Sequence, residues 1–333
     1  MKILSLISPA IIFALIIPVI FSCAGKKEKP ASVDEKISPV TVPQFNQDSA
    51  WHYIEKQVQF GPRVPGSKAH AECAQYLSNT LARFTPAVLV QDFESRLYNG
   101  KPVQGKNIIG IFFPEKTKRI LLCAHWDSRP YADHDPDAAN HYSPIDGAND
   151  GASGVGVLLE IARLLSRDST RTGIDIVFFD VEDYGEHQDQ QTDENDTWGL
   201  GSQYWSKNPH KPGYRAYFGI LLDMVGAADP RFPMEGYSTY YAPDVVKKVW
   251  NTAHELGYGD FFPMQQAGYI TDDHYYVNSI NGTPTIDIIH LDSSTEAGFF
   301  PYWHTKGDTM DKLDKNTLKM VGQTVTTVVY REL

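Results

Sequence analysis

The run FFDVEDYGEH, residues 178–187, closes an apolar stretch with Asp180, Glu182 and Asp183. Carboxylates this close repel one another and raise each other's pKa, so a fold holds them only where they are solvated or neutralised by something cationic. Groups of matching chemistry stand at the ends of comparable stretches: His125 and Asp127 after RILLCA, and Asp223 after YFGILL. Two loops add Asp150, in GANDGASG, and His304, in FFPYWHTKGDT. Taken alone, Asp150 reads as a helix N-cap and His304 as a satisfied surface histidine. Taken together, imidazole nitrogen and carboxylate oxygen are the donor set of a hard or borderline cation, and Zn²⁺ accepts both.

These side chains can meet only if the elements carrying them end at one place. The runs 119–127, 174–183, 217–226 and 283–292 are near-continuous in aliphatic, β-branched and aromatic residues, the pattern of strands covered on both faces. Helical periodicity falls at 153–167, 242–256 and 314–333. Earlier in the chain, 49–60 and 67–84 read as helices, and 87–98 with 107–113 as an antiparallel pair of strands at one side. This alternation predicts one α/β domain with a mixed, largely parallel central sheet flanked by helices. Ligands of such sheets bind outside the carboxyl ends of the strands, so the acidic and imidazole groups are expected on one rim. Strand alternation carried through residue 183 puts Glu182 and Asp183 on opposite faces, one to bind and one to work, with Asp180 on the face of Glu182.

In this order, AHWDS, GANDGASGVGVLLEIARLL, FFDVEDYG, LLDMVG, TDDHYY and YWHTKGDT resemble the zinc-dependent exopeptidase superfamily and, within it, the glutaminyl cyclases of the animal and bacterial type. The resemblance runs from about Ser49 to the C-terminus. It implies zinc ligands at Asp150, Asp183 and His304, an acid/base at Glu182, and a catalytic hydrogen-bond network containing Asp223 and Asp272. The implied reaction converts the N-terminal glutamine of a peptide to pyroglutamate and releases ammonia, with one zinc polarising the side-chain amide. The family usually carries two Glu at positions 182 and 183; Asp183 is one methylene shorter. Aminopeptidases of the superfamily hold a second zinc through residues matching His125 and Asp223, with Asp150 bridging. Both residues are present, so a two-zinc aminopeptidase is the rival reading. DDH at 272–274 and Trp303 directly before His304 resemble the cyclase version. An aromatic slot for the glutamine stem is assigned to Trp198, Trp303 and one of Phe299 and Phe300, with Phe300 chosen.

A chain of 333 residues with 42% hydrophobic content supports one large domain, set at 47–333. Acidic residues outnumber basic ones 41 to 30, for a formal charge of -11, and the mature part has no Lys/Arg cluster, which excludes nucleic acid as an expected partner. Residues 1–22 read as an export signal, and Ile20-Phe21-Ser22-Cys23 resembles the lipobox of bacterial lipoproteins. That implies lipidation of Cys23 and a flexible tether over 23–46, which would hold a monomeric domain on a membrane of the bacterial envelope, facing the periplasm. An uncleaved anchor is the alternative. The expected substrates are peptides or exported proteins with N-terminal Gln. Cys73 and Cys123 read as buried free thiols, with pairing in an oxidising envelope left open. The polar segments 186–196 and 134–144, the latter with His134 and His141, read as loops. A catalytically silent peptide-binding module is a third reading, against which the complete acid/base and ligand set argues.

Overall fold

The four apolar runs do become neighbouring strands, and each is shorter than the run that forms it. The computed structural model describes residues 41–190 and 196–333, so the expected signal segment, Cys23 and most of the tether lie outside the described residues. Residues Val40–Leu333 make one unit. It begins earlier than residue 47, because Phe45 is buried and its N–H donates to Gln323 Oε1 at 2.9 Å.

In chain order the elements are α1 (Gln47–Val58), α2 (Lys68–Leu81), β1 (Ala87–Arg96), β2 (Pro102–Phe112), β3 (Arg119–His125), α3 (Ala152–Leu165), β4 (Gly173–Phe179), α4 (Leu200–Lys207), β5 (Phe218–Asp223), α5 (Gly236–Tyr241), α6 (Pro243–Glu255), α7 (Asp273–Tyr276), β6 (Thr285–Ile289) and α8 (Lys315–Arg331). The six strands form one sheet in the order β1-β2-β4-β3-β5-β6. Strands β4, β3, β5 and β6 pair in parallel, while β1 and β2 form the antiparallel side. The expected α/β domain with a largely parallel mixed sheet is therefore the observed one.

Strand alternation divides the core. Ile120, Leu122 and Ala124 of β3 face the layer built by α1, α3, α6 and α8, whereas Leu121 and Cys123 face a smaller cluster holding Trp205 of α4 and Val277. Each fully buried aliphatic side chain contributes about 1.5–3 kcal/mol, so both layers are strongly held to the sheet. Helix α3 lies so close to β5 that a Cβ on Gly154 would meet the Leu222 carbonyl at 2.2 Å; glycine at that position is a packing requirement. The two cysteines among the described residues are free and buried, Cys73 on α2 and Cys123 on β3. No helix among the described residues is long and apolar enough to cross a membrane.

Candidate metal centre

His125 is the last residue of β3 and Asp223 the last of β5, so both reach the carboxyl rim directly from strands. Glu182 and Asp183 arrive differently. Strand β4 stops at Phe179, and Val181 turns the chain with a φ of +55°, a conformation rare for a β-branched residue. The alternation expected through residue 183 is thus broken. A clamp fixes the pair instead: the N–H groups of Glu182 and Asp183 donate to Asp127 Oδ1 and Oδ2 at 3.1 and 3.2 Å. Asp180 faces away from this centre, accepting from Lys106 N at 2.6 Å and lying 2.9 Å from His70 Nε2. His70 in turn stacks on Trp126, with ring centroids 4.3 Å apart.

A second carboxylate does for Asp150 what Asp127 does for residues 182 and 183. Asp308 accepts the N–H groups of Asn149 and Asp150 at 2.8 and 3.0 Å. Beside them Gly151 has a φ of +95°, and a Cβ there would meet the Asp127 carbonyl at 2.4 Å. The loop between β3 and α3 is thereby pressed onto the clamp of its neighbour.

Three groups of potential ligand atoms occur among the described residues, one at Asp272, His274 and Asp287, and two that share Asp150. Asp150, Asp183 and His304 form one of these two, His125, Asp150 and Asp223 the other, and within each group the ligand atoms all lie within 4.8 Å of one another. In the first group His304 Nε2 is 3.0 Å from Asp183 Oδ1 and 3.7 Å from Asp150 Oδ2. Asp150 Oδ2 and Asp183 Oδ2 are buried without a hydrogen-bond partner among the described residues. In the second, His125 Nε2 is within hydrogen-bond distance of both carboxylates, 3.1 Å from Asp150 Oδ1 and 3.2 Å from Asp223 Oδ1.

Burial, reinforced by neighbouring carboxylates, pushes Asp183 up to about 8 and also raises Asp150, Glu182 and Asp223, Glu182 most strongly. Burial opposes charging of His125, but hydrogen bonds that the imidazole donates to Asp127, Asp150 and Asp223 outweigh it and raise that pKa well above the usual value. His304 goes the other way, lowered by burial and by the nearby Arg129 guanidinium. A neutral imidazole beside carboxylates with orphaned buried oxygens is a donor set awaiting a cation, and a divalent ion reverses the cost of ionising those carboxylates. The residues at Asp150, Asp183 and His304 therefore fit zinc. Asp133 Oδ1 lies 3.7 Å from His304 Nδ1, behind the ring, and Arg129 holds Asp133 through bonds of 2.8 and 2.6 Å while donating to the Asp183 carbonyl at 3.2 Å. Such backing fixes the orientation of ligands.

Above the ligands lies a cavity of about 160 Å³ lined by Glu182, Trp198, Ile270, Asp272, Phe299 and Trp303 among others. Trp198 lies parallel to the His304 imidazole at 6.0 Å and 9°, and Trp303 stacks on it at 3.6 Å. Phe299, not Phe300, lines this cavity: Phe300 is 3% exposed and packs beneath it with Met224, Ile289 and Leu291. The antiparallel bridge between Leu291 and Phe299 sets which of the two rings faces outward.

Asp272 caps α7, its carboxylate accepting the Asp273 N–H. Behind it, fully buried, stand His274 and Asp287, and His274 Nε2 is 2.9 Å from Glu235 Oε2. Sequence reading missed Arg129, Asp133, Asp308, Glu235 and Asp287. Asp287 did carry a signal, being a lone carboxylate inside the apolar strand TIDII. Of the polar loops, 134–144 supports the site from outside, with His134 N donating to the His304 carbonyl at 3.1 Å. Part of 186–196 lies outside the described residues.

A family model described as peptidase family M28 matches residues 107–329. The crystal structure of Tannerella forsythia glutaminyl cyclase is 55% identical, covering 87% of this chain and 100% of that one at a TM-score of 0.86. A leucine aminopeptidase precursor from Bacteroides thetaiotaomicron is 52% identical, with 88% and 100% covered at a TM-score of 0.85. Aminopeptidase YwaD of Bacillus subtilis is 28% identical over 235 residues, which is 68% of this chain but 44% of that protein, so the chain spans less than half of that relative's length. Family model, fold and relatives agree, and this chain belongs to peptidase family M28.

Proposed function

We propose that the chain is a zinc-dependent glutaminyl-peptide cyclotransferase, converting N-terminal glutamine to pyroglutamate with loss of ammonia. Asp150, Asp183 and His304 would hold one zinc. When bound, the metal supplies Lewis acidity toward the side-chain amide carbonyl.

The chain's own residues do the rest. Trp198, Phe299 and Trp303 enclose the glutamine stem and hold the α-amine against the amide carbon, so that the intramolecular nucleophile is favoured over water. Glu182, buried and held by its backbone to Asp127, takes a proton from the attacking amine and returns it to the departing nitrogen. Asp272, facing the cavity, accepts a hydrogen bond from the leaving amide nitrogen. The N–C bond of the lactam forms, the carbonyl–nitrogen bond of the amide breaks, and ammonia leaves without consumption of water.

The observation that carries this reading is the inequality of the two ligand groups that share Asp150. His125 Nε2 is hydrogen-bonded to Asp223 Oδ1 at 3.2 Å and lies 3.1 Å from Asp150 Oδ1, whereas Asp150 Oδ2 and Asp183 Oδ2 have no hydrogen-bond partner among the described residues. The 55% identity to a named glutaminyl cyclase supports it. The second reading, a two-zinc aminopeptidase, draws on the convergence of His125, Asp150 and Asp223. Incubating the protein with a peptide that begins with Gln and weighing the product separates them. A loss of one ammonia supports the cyclase, a loss of one residue supports the peptidase, and an unchanged mass with metal present removes both. The reading extends to a monomer tethered to a membrane of the bacterial envelope through lipid on Cys23, acting on N-terminal Gln of exported proteins or peptides. Incorporation of labelled fatty acid that disappears in Cys23→Ala is the matching test.

A further inference from the structure

The glutamine cavity does not end at its aromatic wall. Ile270 and Phe299 line it on one side, and the same two residues line a second, larger groove of about 350 Å³ that also includes Arg231, Gln266, Gly268 and Ala297. The floor of that groove is extended backbone. Met234 N donates to the Gln265 carbonyl and Ala267 N to the Met234 carbonyl, each at 2.8 Å, a parallel bridge between Met234 and Gln266. The inward-facing groups of this segment are therefore paired. On its outer side the N–H group of Gln266 has no acceptor among the described residues and Gln266 is exposed, whereas the Gly268 carbonyl turns inward to accept from Gly236 N at 2.8 Å. An extended edge with a free donor is the surface to which a peptide main chain adds as a further strand.

Resting on the reading that an N-terminal glutamine occupies the catalytic cavity, we propose that this groove is the subsite for the substrate residues that follow that glutamine. They would leave the cavity over the Ile270–Phe299 sill and lie extended along residues 266–268. Two features select a peptide main chain as the occupant: continuity with the cavity, and an exposed backbone donor at Gln266, while the Arg231 guanidinium in the same groove already donates to Gln265 Oε1 at 2.7 Å. Recognition through main chain also means that peptides of varied sequence after the glutamine are accepted, with length rather than composition deciding affinity.

The experiment compares a glutaminyl-alanine amide with a Gln-Ala-Ala-Ala amide in two measurements, equilibrium binding and pyroglutamate formation. The longer peptide is expected to bind with a Kd about tenfold lower, the effect of one or two added hydrogen bonds. Gln266→Pro, which removes one donor, and Ala297→Trp, which fills the groove, should each erase that gain while leaving the dipeptide amide unaffected. Preserved dipeptide binding and an unchanged melting temperature exclude misfolding as the cause. Equal binding of the two peptides to the unaltered protein overturns the proposal, as does a length gain that survives both substitutions. Length-dependent binding without any pyroglutamate would leave the subsite standing and remove the cyclase reading; pyroglutamate formed without length dependence would do the reverse.

Discussion

The two ligand groups that share Asp150 are close in composition, each an imidazole with two carboxylates, yet their contacts differ. On the His304 side burial lowers the ring's pKa, Trp198 and Trp303 flank it, and its Nε2 lies 3.0 Å from Asp183 Oδ1, while Asp150 Oδ2 and Asp183 Oδ2 have no hydrogen-bond partner among the described residues. On the His125 side a single Nε2 lies 3.1 and 3.2 Å from two carboxylates, and the ring favours its charged form. An imidazolium can balance negative charge where the other pole needs a metal. The difference shows how one scaffold can serve chemistry with one cation or with two: a metal between His125 and Asp223 must displace the hydrogen bond that joins them.

Substitutions at the two poles should act differently. His304→Ala should have the largest effect, dropping zinc content from near one per chain to near zero and pyroglutamate formation by on the order of a thousandfold, read by elemental analysis and a coupled ammonia assay. Retained metal in that variant would place the cation at the other pole. Glu182→Gln should lower turnover by about a thousandfold while zinc stays bound, because the amide keeps the shape and loses the proton carrier. If zinc leaves with it, residues 182 and 183 have exchanged roles. His125→Ala should retain zinc and slow turnover by roughly 10- to 100-fold, through loss of the bridge that orients Asp150; a halving of metal from two equivalents would instead support the peptidase geometry. Smallest for catalysis is Phe300→Ala, expected to cost about 3 kcal/mol of stability with a nearly unchanged KM, whereas Phe299→Ala should raise KM severalfold and leave the melting temperature almost unmoved.

The pair of phenylalanines also marks where sequence reasoning stops. Within strands the period of two is reliable, and the runs ending at His125 and Asp223 delivered those side chains to the rim as expected. Past the strand ends the period is lost. Val181, Met224 and His304 all have positive φ, near +50°, so the side chains after them cannot be phased by counting. Glu182, Asp183 and Phe299 are oriented by clamps and bridges whose partners are far away in the chain. A carboxylate that accepts backbone N–H groups, as Asp127 and Asp308 do, is of the same residue type as one that faces a cation, and nothing local separates them. Asp180 illustrates the point: it belongs to the same acidic run as Glu182 but binds His70 from α2. Helices α4, α5 and α7 were not read from the sequence because each is short, and α7 runs directly into a π-helical turn at Val277–Asn281.

One cation on the His304 side of Asp150 is the arrangement from which the chemistry follows. Anomalous diffraction from a crystal of the zinc-loaded protein, measured at the zinc edge, tests it most directly. One peak is expected at about 2.0–2.2 Å from Asp150, Asp183 and His304, and none between His125 and Asp223. A second peak of equal height at His125 and Asp223 would contradict it.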